Sequence, residues 1–146
     1  MRLTFLSHFI ICLAAASAAW LAHTNGMFAS IWAHDESMMT SAIGVLFVGA
    51  ALYLGRQAWL ADSPFSVVRP PSSDFGHLAE RLLPMLGLFG TAFGLSLQAN
   101  ALAGGATSFG ALATSLYTTA CGVLAALVVA IMTFNLERGV RRARGA

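Results

Sequence analysis

Four long apolar stretches alternate with short polar ones along this chain. Leu3 to Ala22 is apolar apart from Thr4, Ser7, His8 and Ser17. Met39 to Leu60 is a second run, crossed by Gly44, Gly49 and Gly55 and ending at Arg56 and Trp59. Between Arg81 and Glu137 no residue is charged. That region divides into LLPMLGLFGTAFGLSLQA, a polar and glycine-rich break NALAGGATSFG, and ALATSLYTTACGVLAALVVAIMTFN. Each run reaches the roughly 20 apolar residues that a helix needs to cross a bilayer. The pattern predicts an all-α integral membrane protein with four transmembrane helices. The first spans residues 1–22, the second 39–60, and the last two lie within a unit covering 74–146.

The last two runs carry a second pattern. Gly87, Gly90, Thr91, Gly94 and Gln98 recur at helical spacing and share a face. In the following run Ser115, Thr119, Gly122, Ala126, Val129 and Thr133 do the same. Stripes of small and hydroxyl residues let membrane helices approach closely, so Gly87, Gly90, Gly94, Gly122 and Ala126 are the expected packing positions.

The connections add detail. Residues 1–22 read as an uncleaved helix; the competing reading is a signal peptide with a small-residue site near Ala15-Ala16-Ser17-Ala18. His34-Asp35-Glu36 is a helix start rather than a metal cluster, because adjacent side chains diverge and a carboxylate suits a helix N-terminus. Pro64, Pro70 and Pro71 mark a loop. A helix is expected from Asp74, acting as N-cap, with His77, Glu80 and Arg81 on its wet turns. Pro84 predicts a mild kink or a restart of that helix.

Composition narrows the class. At 58% hydrophobic and 10% charged, with a mean hydropathy of +0.74, the chain has a membrane composition and the length of one small domain. Its eight basic residues are all arginine. With four spans and the N-terminus inside, Arg2, Arg56, Arg69, Arg81, Arg138, Arg141, Arg142 and Arg144 all fall inside. By the positive-inside rule both ends are cytoplasmic, with Thr24–Glu36 and Gly104–Gly105 outside. The four C-terminal arginines read as an anchor on anionic lipid, not a nucleic-acid arm. Cys12 and Cys121 lie in apolar stretches and read as packing residues, not a disulfide.

Little in the spans can titrate. Apart from the cysteines, His8 is the one side chain there that titrates near neutral pH, and a lone histidine near a helix end is more often neutral and bonded to a neighbour than a relay. The remaining polar candidates are Thr91, Ser115, Thr118 and Thr119. Membrane threonines commonly bond back to their own backbone. No nucleophile–base or metal constellation suggests an enzyme, and no cofactor is expected.

Pro84-x-Leu86-Gly87-Leu88-x-Gly90-Thr91-x-x-Gly94, then Leu116-x-Thr118-Thr119-Ala120-x-Gly122-x-x-Ala125-Ala126 and Phe134-Asn135, resembles the signature of the MotA/TolQ/ExbB proton-channel family, most closely its TolQ/ExbB branch. The resemblance implies the channel-forming subunit of a motor complex driven by proton-motive force. Such a subunit sits in a bacterial inner membrane as a homo-oligomer, a pentamer, around single-span TolR/ExbD-like partners carrying an aspartate. It would serve work or transport in the cell envelope. The alternative is a non-conducting scaffold of the same fold. The resemblance assigns pore lining to Thr91 and Thr119, with Ser115 and Thr118 as further candidates. Two positions depart from the family pattern: Thr114 stands where a glutamate is frequent, and Val128 where a proline is frequent. The inner connection of about 20 residues is an ordinary loop, too small for a rotor-pushing domain.

Overall fold

A computed structural model describes residues 3–26, 38–63, 71–105 and 109–145, together with Ala29. His34, Asp35 and Glu36, and the Pro64–Pro70 part of the inner loop, lie outside the described residues. Among the described residues four long helices follow one another: α1 (Leu3–Thr24), α2 (Met39–Ala61), α3 (Asp74–Ala103) and α4 (Phe109–Gly145). All four are long and apolar enough to cross a membrane, and no strand occurs among the described residues.

Several boundaries differ from the sequence expectation. Helix α2 is an exception, continuous through its glycines over 23 residues as expected. Asp74 is the first helical residue and not the cap. Ser73 holds the cap position without a side-chain bond, while Ser72 and Asp74 bond each other at 2.9 Å. Helix α3 also runs unbroken through Pro84, so no restart occurs there. A proline costs the helix one N–H donor, but the flanking turns continue and the site is packed on neighbours. Helix α4 is 37 residues long. At about 1.5 Å per residue it reaches roughly 55 Å, well beyond a hydrocarbon core of about 30 Å. Arg138, Arg141 and Arg142 therefore continue a helix past the apolar run and are not a separate tail.

Contacts fix the arrangement as antiparallel between neighbours. The amide of Phe5, at the start of α1, donates to Asp62 Oδ2 at the end of α2, at 2.9 Å. Asp62 thus satisfies one of the orphan amides at the start of α1 from a different helix. Ser73 and His77 at the start of α3 bond Glu137 near the end of α4. One end of the bundle accordingly gathers the start of α1, the end of α2, the start of α3 and the end of α4. This is the arginine-bearing end.

The apolar core lies toward that end. Ala50, Leu54 and Ala58 of α2, Ala79 and Leu83 of α3, and Val129, Met132 and Leu136 of α4 are buried together. Many other large apolar side chains point outward: Leu88 and Phe89, then Leu116, Val123, Leu124, Leu127 and Phe134, are exposed. A bundle with small residues inside and bulky ones outside is the distribution a lipid surround favours.

Helix α1 packs differently. Its buried residues are Thr4 and His8. Ser7 donates to Asn135 Oδ1 of α4 at 2.7 Å, and Asn135 Nδ2 donates to the Thr4 carbonyl at 3.1 Å. Thr4 also lies directly on Gly139, where any Cβ would collide with it. Polar groups and a missing side chain hold the start of α1 to α4, and Ile11 and Cys12 further along pack half-buried against the core.

Candidate functional site

The site is the seam between α3 and α4, the most extensive helix contact in the molecule. Its closeness comes from glycines. A Cβ on Gly122 would stand 2.6 Å from the Leu83 carbonyl oxygen and 3.1 Å from the Gly87 Cα. One on Gly87 would meet the Thr118 carbonyl oxygen at 3.0 Å and the Thr119 Cα at 3.2 Å. These are backbone atoms, so no side-chain rotation could relieve the clash. Gly90 differs: its Cβ would meet the Thr118 side chain, at 2.6 Å from Oγ1. Gly94 is buried further along α3, and Ala126 is half-buried at the edge of the core.

Backbone contact brings the hydroxyls together. Thr91 Oγ1 and Thr119 Oγ1 are in direct hydrogen-bonding contact across the seam. Thr91 Oγ1 lies 3.1 Å from both the Gly87 and Ser115 carbonyls. Thr119 Oγ1 lies 3.0 Å from the Ser115 carbonyl and 3.4 Å from that of Gly87. Each threonine therefore reaches the carbonyl four residues back on its own helix and the matching carbonyl on the other.

Thr118 reaches the Ser115 carbonyl as well, at 3.2 Å. Three hydroxyls thus converge on one carbonyl that has two lone pairs and also accepts within its own helix. They cannot all donate to it at once. The Thr91–Thr119 contact provides the alternative, because one hydroxyl can donate to the other. The cluster has more acceptor positions than protons, so it can accept from an additional donor such as water or a protonated acid. It cannot itself carry a proton, because threonine hydroxyls do not titrate near neutral pH.

The four threonine and serine candidates do not share one environment. Thr91 and Thr119 retain some exposure, whereas Ser115 and Thr118 are buried inside the hairpin. Ser115 contributes its carbonyl; its hydroxyl turns away to the Leu112 carbonyl at 2.8 Å. Gln98 lies toward the far end of α3, half-buried. Its Oε1 is enclosed and has no hydrogen-bond partner among the described residues. His8 is elsewhere: its Nε2 lies 3.1 Å from the Ala51 carbonyl of α2. That bond places the proton on Nε2 and keeps His8 away from the hydroxyls.

A second polar cluster, which the sequence pattern did not single out, closes the arginine-bearing end of the seam. His77 Nε2 is 2.7 Å from Glu137 Oε1, and its Nδ1 is 3.4 Å from Glu80 Oε2. Ser73 donates to Glu137, and Arg141 stands 3.9 Å from the same carboxylate. His77 precedes the apolar run that begins at Leu82. The Glu137 carboxylate raises its pKa above the usual imidazole value, against the opposing effect of desolvation and with a further contribution from Glu80. The available signal was the polar lead-in of α3 facing the one acidic residue ahead of the C-terminal arginines.

No curated protein and no solved structure matches this chain. Residues 75–144, which hold almost the whole α3–α4 seam, match the sequence model of the MotA/TolQ/ExbB proton channel family, and that match points to a channel or transporter.

Proposed function

We propose that this protein is the channel-forming subunit of a membrane motor driven by proton-motive force. Several copies, five on the TolQ/ExbB resemblance, surround single-span partner helices of the TolR/ExbD kind. Both chain ends face the cytoplasm of a bacterial cell and the protein resides in the inner membrane. Thr91 and Thr119 line the ion path, with Ser115 and Thr118 supporting them from behind. The complex couples proton flow to work or transport in the envelope.

One observation carries this reading. Within the segment that matches the family, two threonines from different helices meet in a carbonyl-lined cluster that is rich in acceptors and empty of titratable groups. A path of that kind needs an acid from outside the chain, and a partner's aspartate is the simplest source. Carboxylates held in membrane helices are costly and are kept where they handle ions.

A scaffold reading draws on the same cluster, since carbonyls already receive the hydroxyls and the seam packs without conduction. Reconstitution separates the two. Liposomes holding this chain alone should show no proton flux, and flux should appear when an aspartate-bearing single-span partner is added. Flux from the chain alone would refute the partner requirement. No flux from an assembled complex would leave the scaffold.

A further inference from the structure

We infer that the groove between the start of α1 and the end of α2 is a binding site for an anionic phospholipid, with an acyl chain in the groove and the headgroup phosphate on Arg56. The groove has a volume of about 330 Å³ and is lined by Phe5, Phe9, Leu52, Gly55, Arg56 and Trp59, among others. The inference does not rest on the proposed channel role.

The groove exists because the wall between two helices is locally thin. Gly55 has no side chain, and the His8 ring lies under it; a Cβ there would stand 3.0 Å from His8 Nε2. His8 is bonded to the Ala51 carbonyl and so forms a closed floor. Phe5 packs edge-on against Trp59, with centroids 5.0 Å apart, which walls the groove at the arginine-bearing end. From Phe5 to Cys12, and from Leu52 to Trp59, the lining covers eight residues of each helix, a rise of seven steps. That is about 10 Å along the bilayer normal, starting from the interface.

Chemistry selects the occupant. The lining is almost wholly apolar, as a hydrocarbon chain requires, and its one cation, Arg56, stands about one turn inward of Trp59 on a side chain long enough to reach the interface. Arg56 is exposed and makes no ion pair among the described residues. Asp62, the acidic residue one and a half turns further along α2, is engaged by the Phe5 amide. A guanidinium suits phosphate geometry, and a tryptophan beside it suits the headgroup level. All eight arginines fall at the ends of the spans on this side, by the reading of the sequence, so this end faces the leaflet to which anionic lipid draws basic residues.

Trp59 provides a reporter inside the site. The full-length protein carrying Trp20→Phe and Trp32→Phe keeps Trp59 as its single tryptophan. It is reconstituted into phosphatidylcholine vesicles containing a small fraction of phosphatidylglycerol brominated on its acyl chains. A parallel sample uses brominated phosphatidylcholine in an unbrominated background. Quenching of Trp59 by the brominated phosphatidylglycerol should exceed that by the phosphatidylcholine about fivefold at equal mole fraction, as one basic contact near an anionic surface implies. Arg56→Gln should remove the difference and Arg81→Gln should leave it in place. Equal quenching by the two lipids would overturn the inference. Protection from both would also overturn it, because a second copy or a partner helix would then fill the groove. Loss of selectivity with Arg81→Gln to the same degree would show diffuse attraction and no site.

Discussion

The seam between α3 and α4 holds polar groups in two places, and the two could hardly differ more. At mid-seam, Thr91 and Thr119 meet among carbonyls, with no titratable side chain in contact. At the arginine-bearing end, His77, Glu80, Glu137 and Arg141 form a charged and largely wet cluster. The separation along the helices is roughly 20–27 Å. Leu83, Val129, Met132 and Leu136 fill the space between and are inaccessible to solvent. A proton held at His77 has no string of groups by which to reach the threonines inside one chain. Geometry in the middle of the seam is set by glycine backbones; at its end it is set by charge.

The largest effect should come from disturbing the glycine contact. Gly122→Ala places a methyl 2.6 Å from the Leu83 carbonyl oxygen, so the helices must separate. The cost should be about 1–3 kcal/mol, as for other overpacked interiors. Thermal unfolding of the purified protein in detergent measures it. Gly44→Ala, with nothing within 4 Å of the new methyl, is the matched control and should be neutral or slightly stabilising. Similar behaviour of both variants would remove the close approach from the account.

A smaller effect is expected where α1 joins the hairpin. Asn135→Ala deletes the acceptor of Ser7 and the donor to the Thr4 carbonyl. Each net hydrogen bond contributes about 0.5–1.5 kcal/mol and entering water replaces part of what is removed, so the net loss should be about 1 kcal/mol. Hydrogen exchange should accelerate in the first turns of α1 and not at Thr91 or Thr119. Equal acceleration in both places would mean that the seam depends on α1.

How much of this could be read from the sequence depends on which interaction is asked about. The spans were legible, because no charge interrupts residues 82–136 and because helix length is bounded by the bilayer. The glycine spacing puts Gly87, Gly90 and Gly94 on one face of α3, and all three are buried. The partners of the hydroxyls were not. Thr118 and Thr119 are adjacent, yet a turn of about 100° per residue sends one onto Gly90 and the other onto Thr91. Which goes where depends on the rotation of α4 against α3, and no local pattern encodes it. The Ser7–Asn135 and Phe5–Asp62 bonds join residues far apart in sequence for the same reason. Continuity through Pro84 was obscured because propensities drawn from water overstate helix breaking in an environment where unpaired backbone is costly.

The smallest effect belongs to the charged cluster. Because Glu137 raises the His77 pKa, the pair adds stability that is complete below the unfolded imidazole value and is lost as pH rises through the higher folded value. Almost half of the His77 side chain is exposed, at 47%, so the contribution should stay below about 1 kcal/mol. The unfolding midpoint should fall slightly from about pH 6 toward pH 8, and His77→Gln should flatten that slope. A midpoint that rises with pH would reverse the assignment.

The central claim is that the mid-seam hydroxyls handle an ion only with an acid supplied by a partner. The most direct measurement is proton flux through the complete complex carrying Thr91→Val and Thr119→Val. Valine keeps the shape of threonine and removes the hydroxyl. The variant should assemble with its partner as the wild type does, and flux should be abolished. Assembly with undiminished flux would contradict the claim and leave these threonines a packing role alone.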